Sequence, residues 1–230
     1  MANEIGTLYI VATPIGNMED ITMRALRILK EVDLILCEDT RTTGKLLARY
    51  EIKNKTSSYH AHSTKGKESA IIKLLNDGKN IALVSDAGTP CISDPGILLV
   101  QEVYNEFGSN ARVVPIPGAS ALITALSACG VSMAVFKFLG FLPHKKGRET
   151  LFKEMSIATT PIVFYESSHR IIKTLESLSK YCGDKNVVIG RELTKIYEEF
   201  LRAKPSELLE ILTKDKNKQK GEFVVIVYTK

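Results

Sequence analysis

Between residues 8 and 116 the chain repeats one pattern: a short apolar run, then a stretch with helical spacing. Runs at 8–12, 33–37, 80–85 and 112–115, with a weaker one at 57–60, read as strands. The stretches at 20–30, 42–50, 69–77 and 94–107 place apolar residues three and four apart, as in Ile21, Ala25, Ile28 and Leu29. Asp20 reads as the cap of the first helix. Gly78 reads as the stop of the third, and Asp94-Pro95 as cap and first residue of the fourth. A helix after each strand carries the chain back, so successive strands run the same way. The first half is therefore expected to form an open, mostly parallel α/β sheet.

Pro115-Ile116-Pro117-Gly118 ends this rhythm. The expected domains are 1–117 and 118–230. After a helix at 119–128, strands are expected at 135–141, 161–165, 186–192, 196–202 and 222–228, with helices at 148–157, 169–181 and 206–212. Neighbouring strands without long crossovers point to a mixed sheet.

Composition supports two small globular domains. The 230 residues are 44% hydrophobic and 25% charged. No apolar run is long enough to span a membrane, and residues 1–6 lack the basic flank and apolar core of a secretory leader. Cys37, Cys91, Cys129 and Cys182 are scattered without a CxxC pair. That favours free thiols in a reducing cytoplasm over a zinc site or disulfide framework. Charge is uneven: residues 1–119 hold 13 basic and 14 acidic groups, the remainder 18 and 12. The basic half suits a polyanionic partner, or ordinary solubility.

Ligands of open α/β sheets sit at the carboxyl ends of strands, so the loops there carry the chemistry. Thr13-Pro14-Ile15-Gly16-Asn17 follows the first run and is neither GxGxxG nor a P-loop. Residues 85–96 form a long loop rich in small residues, in which Gly88 and Gly96 allow close backbone approach and Asp86 and Thr89 offer hydrogen bonds. Pro117-Gly118-Ala119-Ser120-Ala121 leaves room for a flat ligand, or is a site of tight packing. Glu38-Asp39-Thr40-Arg41 combines carboxylates with an arginine: either a proton acceptor beside a phosphate anchor, or a helix cap with a surface ion pair. In the second half, Tyr165-Glu166-Ser167-Ser168-His169-Arg170 and Arg191-Glu192-Leu193-Thr194-Lys195 also end strands, and Ser168 could cap a helix. His60 and His62 have no third ligand nearby in sequence, so no metal is expected.

Together and in this order, these loops resemble the tetrapyrrole-methylase superfamily of S-adenosylmethionine (SAM) methyltransferases. The resemblance rests on residues 8–17, 38–41, 85–96, 115–121, 164–170, 191–195 and 220–223. Within the superfamily it is closest to the branch that methylates the ribose 2′-oxygen of a cytidine in 16S ribosomal RNA. Porphyrinoid-acting members have a GxGxGxxDLLT loop where this chain reads Pro14-Ile15-Gly16-Asn17-Met18-Glu19-Asp20-Ile21-Thr22, and their GDP element is Gly88-Thr89-Pro90 here.

The resemblance implies two α/β domains with the cofactor cleft between them, and a homodimer. It carries SAM contacts onto Pro14, Ala87, Gly88, Thr89, Ile92, Ser120, Ala121, Glu166 and Leu193. The substrate implied is 16S RNA of the small subunit, free or assembled. A ribose hydroxyl is a weak nucleophile, so Glu38 or Asp39 is expected to assist its deprotonation, with Arg41 holding a phosphate or orienting the carboxylates. Lys145, Lys146, Arg148 and Arg170, with the lysines of 214–220, are the candidate RNA contacts. Two alternatives use the same loops: methylation of a porphyrinoid or protein side chain, and a non-catalytic SAM- or RNA-binding module.

Overall fold

The computed structural model describes residues 4–60, 65–94 and 96–229, the side chain of Lys65 excepted. The chain divides into two compact units, Met1–Ser120 and Ala121–Lys230.

The first unit holds strands β1 (Leu8–Val11), β2 (Leu34–Cys37), β3 (Thr56–Ser58), β4 (Ile81–Val84) and β5 (Val113–Ile116) in one sheet, in the order β3-β2-β4-β1-β5. Every pairing is parallel, as the helix-after-strand rhythm requires. Helices α1 (Met23–Glu31), α2 (Thr40–Arg49), α3 (Lys65–Asn76) and α4 (Ile97–Phe107) connect the strands. Alternate side chains of the buried strands feed two apolar clusters. One gathers Val11, Ile35, Val84 and Ile28; the other gathers Leu8, Leu36, Leu83 and Leu99. Two faces filled with branched side chains mark a sheet covered on both sides.

The second unit holds α5 (Ala121–Ala128), β6 (Lys137–Phe141), α6 (Arg148–Ile157), β7 (Ile162–Ser167), α7 (Ile171–Tyr181), β8 (Asn186–Arg191), β9 (Glu199–Ala203), α8 (Pro205–Lys214) and β10 (Glu222–Tyr228). Its sheet order is β6-β7-β10-β8-β9. The β6–β7 pair is parallel and the other three are antiparallel, so the sheet is mixed. Its core joins Phe164, Val225 and Ile189 to Phe152, Leu175 and Leu208 of the helices.

Several boundaries differ from the sequence expectation because caps differ. Residues 18–20 form a single 3-10 turn, and the Thr22 hydroxyl, not Asp20, caps α1 by accepting from the Ala25 N–H at 3.1 Å. Helix α4 begins at Ile97. Asp94 instead folds a turn ahead of it, its Oδ1 accepting from the Gly96 N–H at 2.7 Å; Pro95 lies outside the described residues. Ser168 caps nothing: Arg170 stands at the N-cap of α7 without a side-chain bond. The last strand but one starts at Glu199 rather than residue 196, since Ile196 and Tyr197 lie exposed in the preceding turn.

Candidate functional site

In the first unit, three strand-end loops are sewn into one surface. Thr13 and Gly88 exchange backbone hydrogen bonds at 2.9 and 3.0 Å, tying the loop after β1 to the loop after β4. The Thr13 hydroxyl donates to the Ser85 carbonyl at 3.0 Å, and the Ser85 hydroxyl to Gly88 at 3.1 Å. The Thr89 hydroxyl donates to the Ala119 carbonyl at 3.0 Å, bringing in the loop after β5. Gly88 holds φ at +84°, which only glycine adopts freely. At Gly118 a Cβ would stand 2.9 Å from the Ala12 Cβ, so the two segments touch backbone to backbone. Pro14, Thr89 and Ser120 are half-buried on these loops, Gly88 is buried, and Ala87 and Ile92 are exposed.

Backbone strain concentrates in two loops. Among the described residues, five non-glycines have positive φ. Cys91 (+70°) and Ser93 (+60°) lie after β4, while Glu192 (+49°) and Thr194 (+67°) lie after β8. Each costs about 1–3 kcal/mol, and such residues persist where the surroundings over-determine them, typically at functional sites. The Thr194 hydroxyl adds a second sign: it is buried and has no hydrogen-bond partner among the described residues. A buried orphan hydroxyl costs roughly 1–3 kcal/mol unless something satisfies it. The residue types announce neither the strain nor the orphan; only the placement of the loop after β8 pointed here.

The carboxylates after β2 divide into two kinds. Asp39 is committed: it caps α2, accepting from the Arg41 N–H at 2.8 Å, and pairs with the Arg41 guanidinium at 2.8 Å. The guanidinium hydrogen bond, then the backbone one, hold its pKa down at about 2. Glu38 is raised above the ordinary carboxylate range by partial burial and by the charges of Asp86 and Asp94. Asp86 Oδ1 in turn accepts from the Asp39 N–H at 3.1 Å.

In the second unit the charges expected to meet a ligand mostly meet each other. Glu166 is buried, accepting from the Thr174 hydroxyl at 2.6 Å and the Ser167 N–H at 2.9 Å, with Arg170 Nε at 3.3 Å. Arg170 also donates to the Leu142 carbonyl at 2.6 Å. Arg148 donates to the Pro143 carbonyl at 3.2 Å and to the Thr174 hydroxyl at 2.7 Å. This clamp holds the loop carrying Lys145 and Lys146, which are exposed and make no ion pair among the described residues. After β8, Leu193 is buried beside Arg191, whose guanidinium donates to the Lys220 and Asn217 carbonyls at 2.9 and 2.8 Å.

Among the described residues no group of three His, Cys, Asp or Glu could hold a metal ion, and no helix is long and apolar enough to cross a membrane. His62 lies outside the described residues.

A parallel α/β unit with a small-residue, strained strand-end surface, joined to a mixed-sheet unit, defines a known class of methylase. The chain belongs to the Tetrapyrrole (Corrin/Porphyrin) Methylases, whose family model matches residues 7–209. It is 48% identical over 223 residues to "Ribosomal RNA small subunit methyltransferase I" of Halalkalibacterium halodurans, covering 96% of this chain and 75% of that protein. It is 47% identical over 227 residues to the protein of the same name from Escherichia coli O157:H7, covering 98% and 78%. Among solved structures, uroporphyrin-III C-methyl transferase from Thermus thermophilus, complexed with S-adenyl homocysteine, shares the fold. Its TM-score is 0.65 at 16% identity, covering 97% of each chain.

Proposed function

We propose that the chain is a SAM-dependent methyltransferase acting on the ribose 2′-oxygen of a cytidine in 16S ribosomal RNA. The observation that carries this reading is near-full-length identity to proteins named as ribosomal RNA small subunit methyltransferases. The first loop, which departs from the porphyrinoid pattern, supports it.

The surface fits a nucleoside-bearing cofactor in two measured respects. Gly88 and Gly118 leave space where a side chain would stand, and the Thr194 hydroxyl awaits a partner. Pro14, Ala87, Gly88, Thr89, Ile92, Ser120, Ala121 and Leu193 would hold SAM. At position 166 the contact would fall to the backbone, because the carboxylate is engaged inside its own unit. SAM supplies an activated methyl group. The chain must then orient a hydroxyl in line with it and take the proton. Glu38 is the better base: Asp39, at about 2, is too weak an acceptor, whereas Glu38 is more basic than an ordinary carboxylate. Arg41 holds Asp39 with part of its guanidinium and has the rest free for a phosphate, its side chain being 87% exposed. Lys145 and Lys146 contact the RNA backbone, while Arg148 and Arg170 act by fixing their loop. The working form is a cytoplasmic homodimer acting on the assembled small subunit or its free RNA.

Small-subunit particles from cells lacking this methylation, incubated with the protein and tritiated SAM, test the reading. Label recovered as 2′-O-methylcytidine is expected. Label in another nucleoside, or none, overturns it.

A further inference from the structure

The second unit carries a groove of about 370 Å³, lined from the loop before α6, from α6 and from α7. The volume lies in the range of small-ligand sites. Lys145, Arg148 and Phe152 come from the first side in sequence; Ser177, Lys180 and Tyr181 come from α7. Phe152 and Tyr181 stack with centroids 6.4 Å apart and planes 15° from parallel. Each ring carries a cation: Arg148 lies 5.1 Å from the Phe152 centroid and Lys180 4.8 Å from that of Tyr181. Phe152 is buried, so the ring left partly open to a ligand is that of Tyr181. Lys145 and Lys180 make no ion pair among the described residues. Two acids also line the groove; Glu149 is neutralised by Lys153 at 2.8 Å, and exposed Glu176 offers an acceptor.

Unpaired cations suit a phosphodiester, an aromatic ring suits a base, and a hydroxyl with a carboxylate suits polar edges. These are the parts of a site for unpaired RNA, where bases are free to stack. We propose that the groove seats one nucleotide of a single-stranded RNA segment, its phosphate on Lys145 and Lys180 and its base against Tyr181. This deepens the proposed function, on which it rests, by naming the surface that holds substrate RNA away from the reacting ribose. Lys180, on a flexible stem, moves from the ring to the phosphate and opens the ring to the base. The Arg148–Arg170 clamp presents Lys145 from a held loop, which lowers the ordering cost of binding.

The test is anisotropy of a labelled single-stranded RNA oligonucleotide with the full chain over a salt series. Wild type is expected to bind. Lys145→Ala with Lys180→Ala should flatten the slope of log affinity against log salt by about 1.4, at roughly 0.7 per phosphate contact. Tyr181→Leu should weaken binding roughly tenfold with little change in slope. Since Tyr181 packs on Phe152, Lys180→Glu is the surface variant that keeps the test decisive, and it should weaken binding more than Lys180→Ala. Lys30→Ala, exposed in the first unit, is the control and should match wild type. Absence of wild-type binding, or groove variants that match wild type in affinity and slope, overturns the proposal. Methylation of small-subunit particles is measured in parallel. Groove-dependent binding without methylation would sink the activity alone; methylation with groove-independent binding would sink the groove alone.

Discussion

The two units hold their strand-end loops in opposite ways. The first uses backbone and hydroxyls: Thr13 to Gly88, Ser85 to Gly88, Thr89 to Ala119. That leaves Glu38 without a committed cation. The second uses charged side chains: Glu166 with Arg170, Arg148 with Thr174, Arg191 with Glu199. Its excess positive charge is therefore not the same thing as its ligand-facing charge. The arginines are largely spent on architecture, and the lysines of the basic loop stay free. A charge count over the sequence cannot make that separation, because it depends on which carbonyls each guanidinium reaches.

This contrast breaks first at Glu166. Glu166→Ala strands Arg170 and removes the acceptor of Thr174. Breaking a buried pair costs roughly 3–5 kcal/mol, which for a chain of this size lowers Tm by about 6–20 °C. Calorimetry that found Tm unchanged would mean the clamp is not structural. In the first unit, Glu38→Gln should do the reverse. Activity on RNA should fall about 10²–10⁴-fold, while Tm at neutral pH holds or rises. The sign follows from the raised carboxyl: with a folded pKa above the unfolded one, Glu38 favours the fold at low pH, and that contribution is lost as pH rises through the folded value. The same raised value puts the acid limb of the wild-type kcat/KM profile above the ordinary glutamate range, and the variant should lose that limb.

Gly118→Val is expected to have a smaller effect. Its Cβ would meet the Ala12 Cβ at 2.9 Å, so roughly 1–3 kcal/mol of overpacking is expected, with weaker SAM binding by calorimetry. Smallest is Asp39→Ala, which removes an exposed cap and ion pair. Tm should fall only slightly at pH 7, and the loss should vanish on acidification through about 2, where Asp39 is itself protonated.

What was legible in the sequence follows from what is local. Strand β10 was readable to the residue because Glu222–Tyr228 is a buried apolar run bounded by Gly221. The parallel and mixed sheets followed from connection lengths. Helix starts were harder, since Asp20, Thr22 and Asp94 are all good caps and tertiary packing chose among them. The alternation at 196–202 misled because Ile196 and Tyr197 are apolar yet exposed. For the site, small residues after strands marked the right loops. The strain at Cys91, Ser93, Glu192 and Thr194 was invisible, since none of these residue types is expected at those angles. The capture of Glu166 by Thr174, eight residues on, and the pairing of Phe152 with Tyr181 are also tertiary facts that spacing does not announce.

One measurement bears most directly on the central claim. Purified protein and labelled SAM are given small-subunit particles and a uroporphyrinogen-type substrate together, and the label is followed into each. The account predicts transfer to a cytidine ribose of the RNA, abolished in Glu38→Gln. Transfer to the porphyrinoid, with the RNA unlabelled, would contradict it.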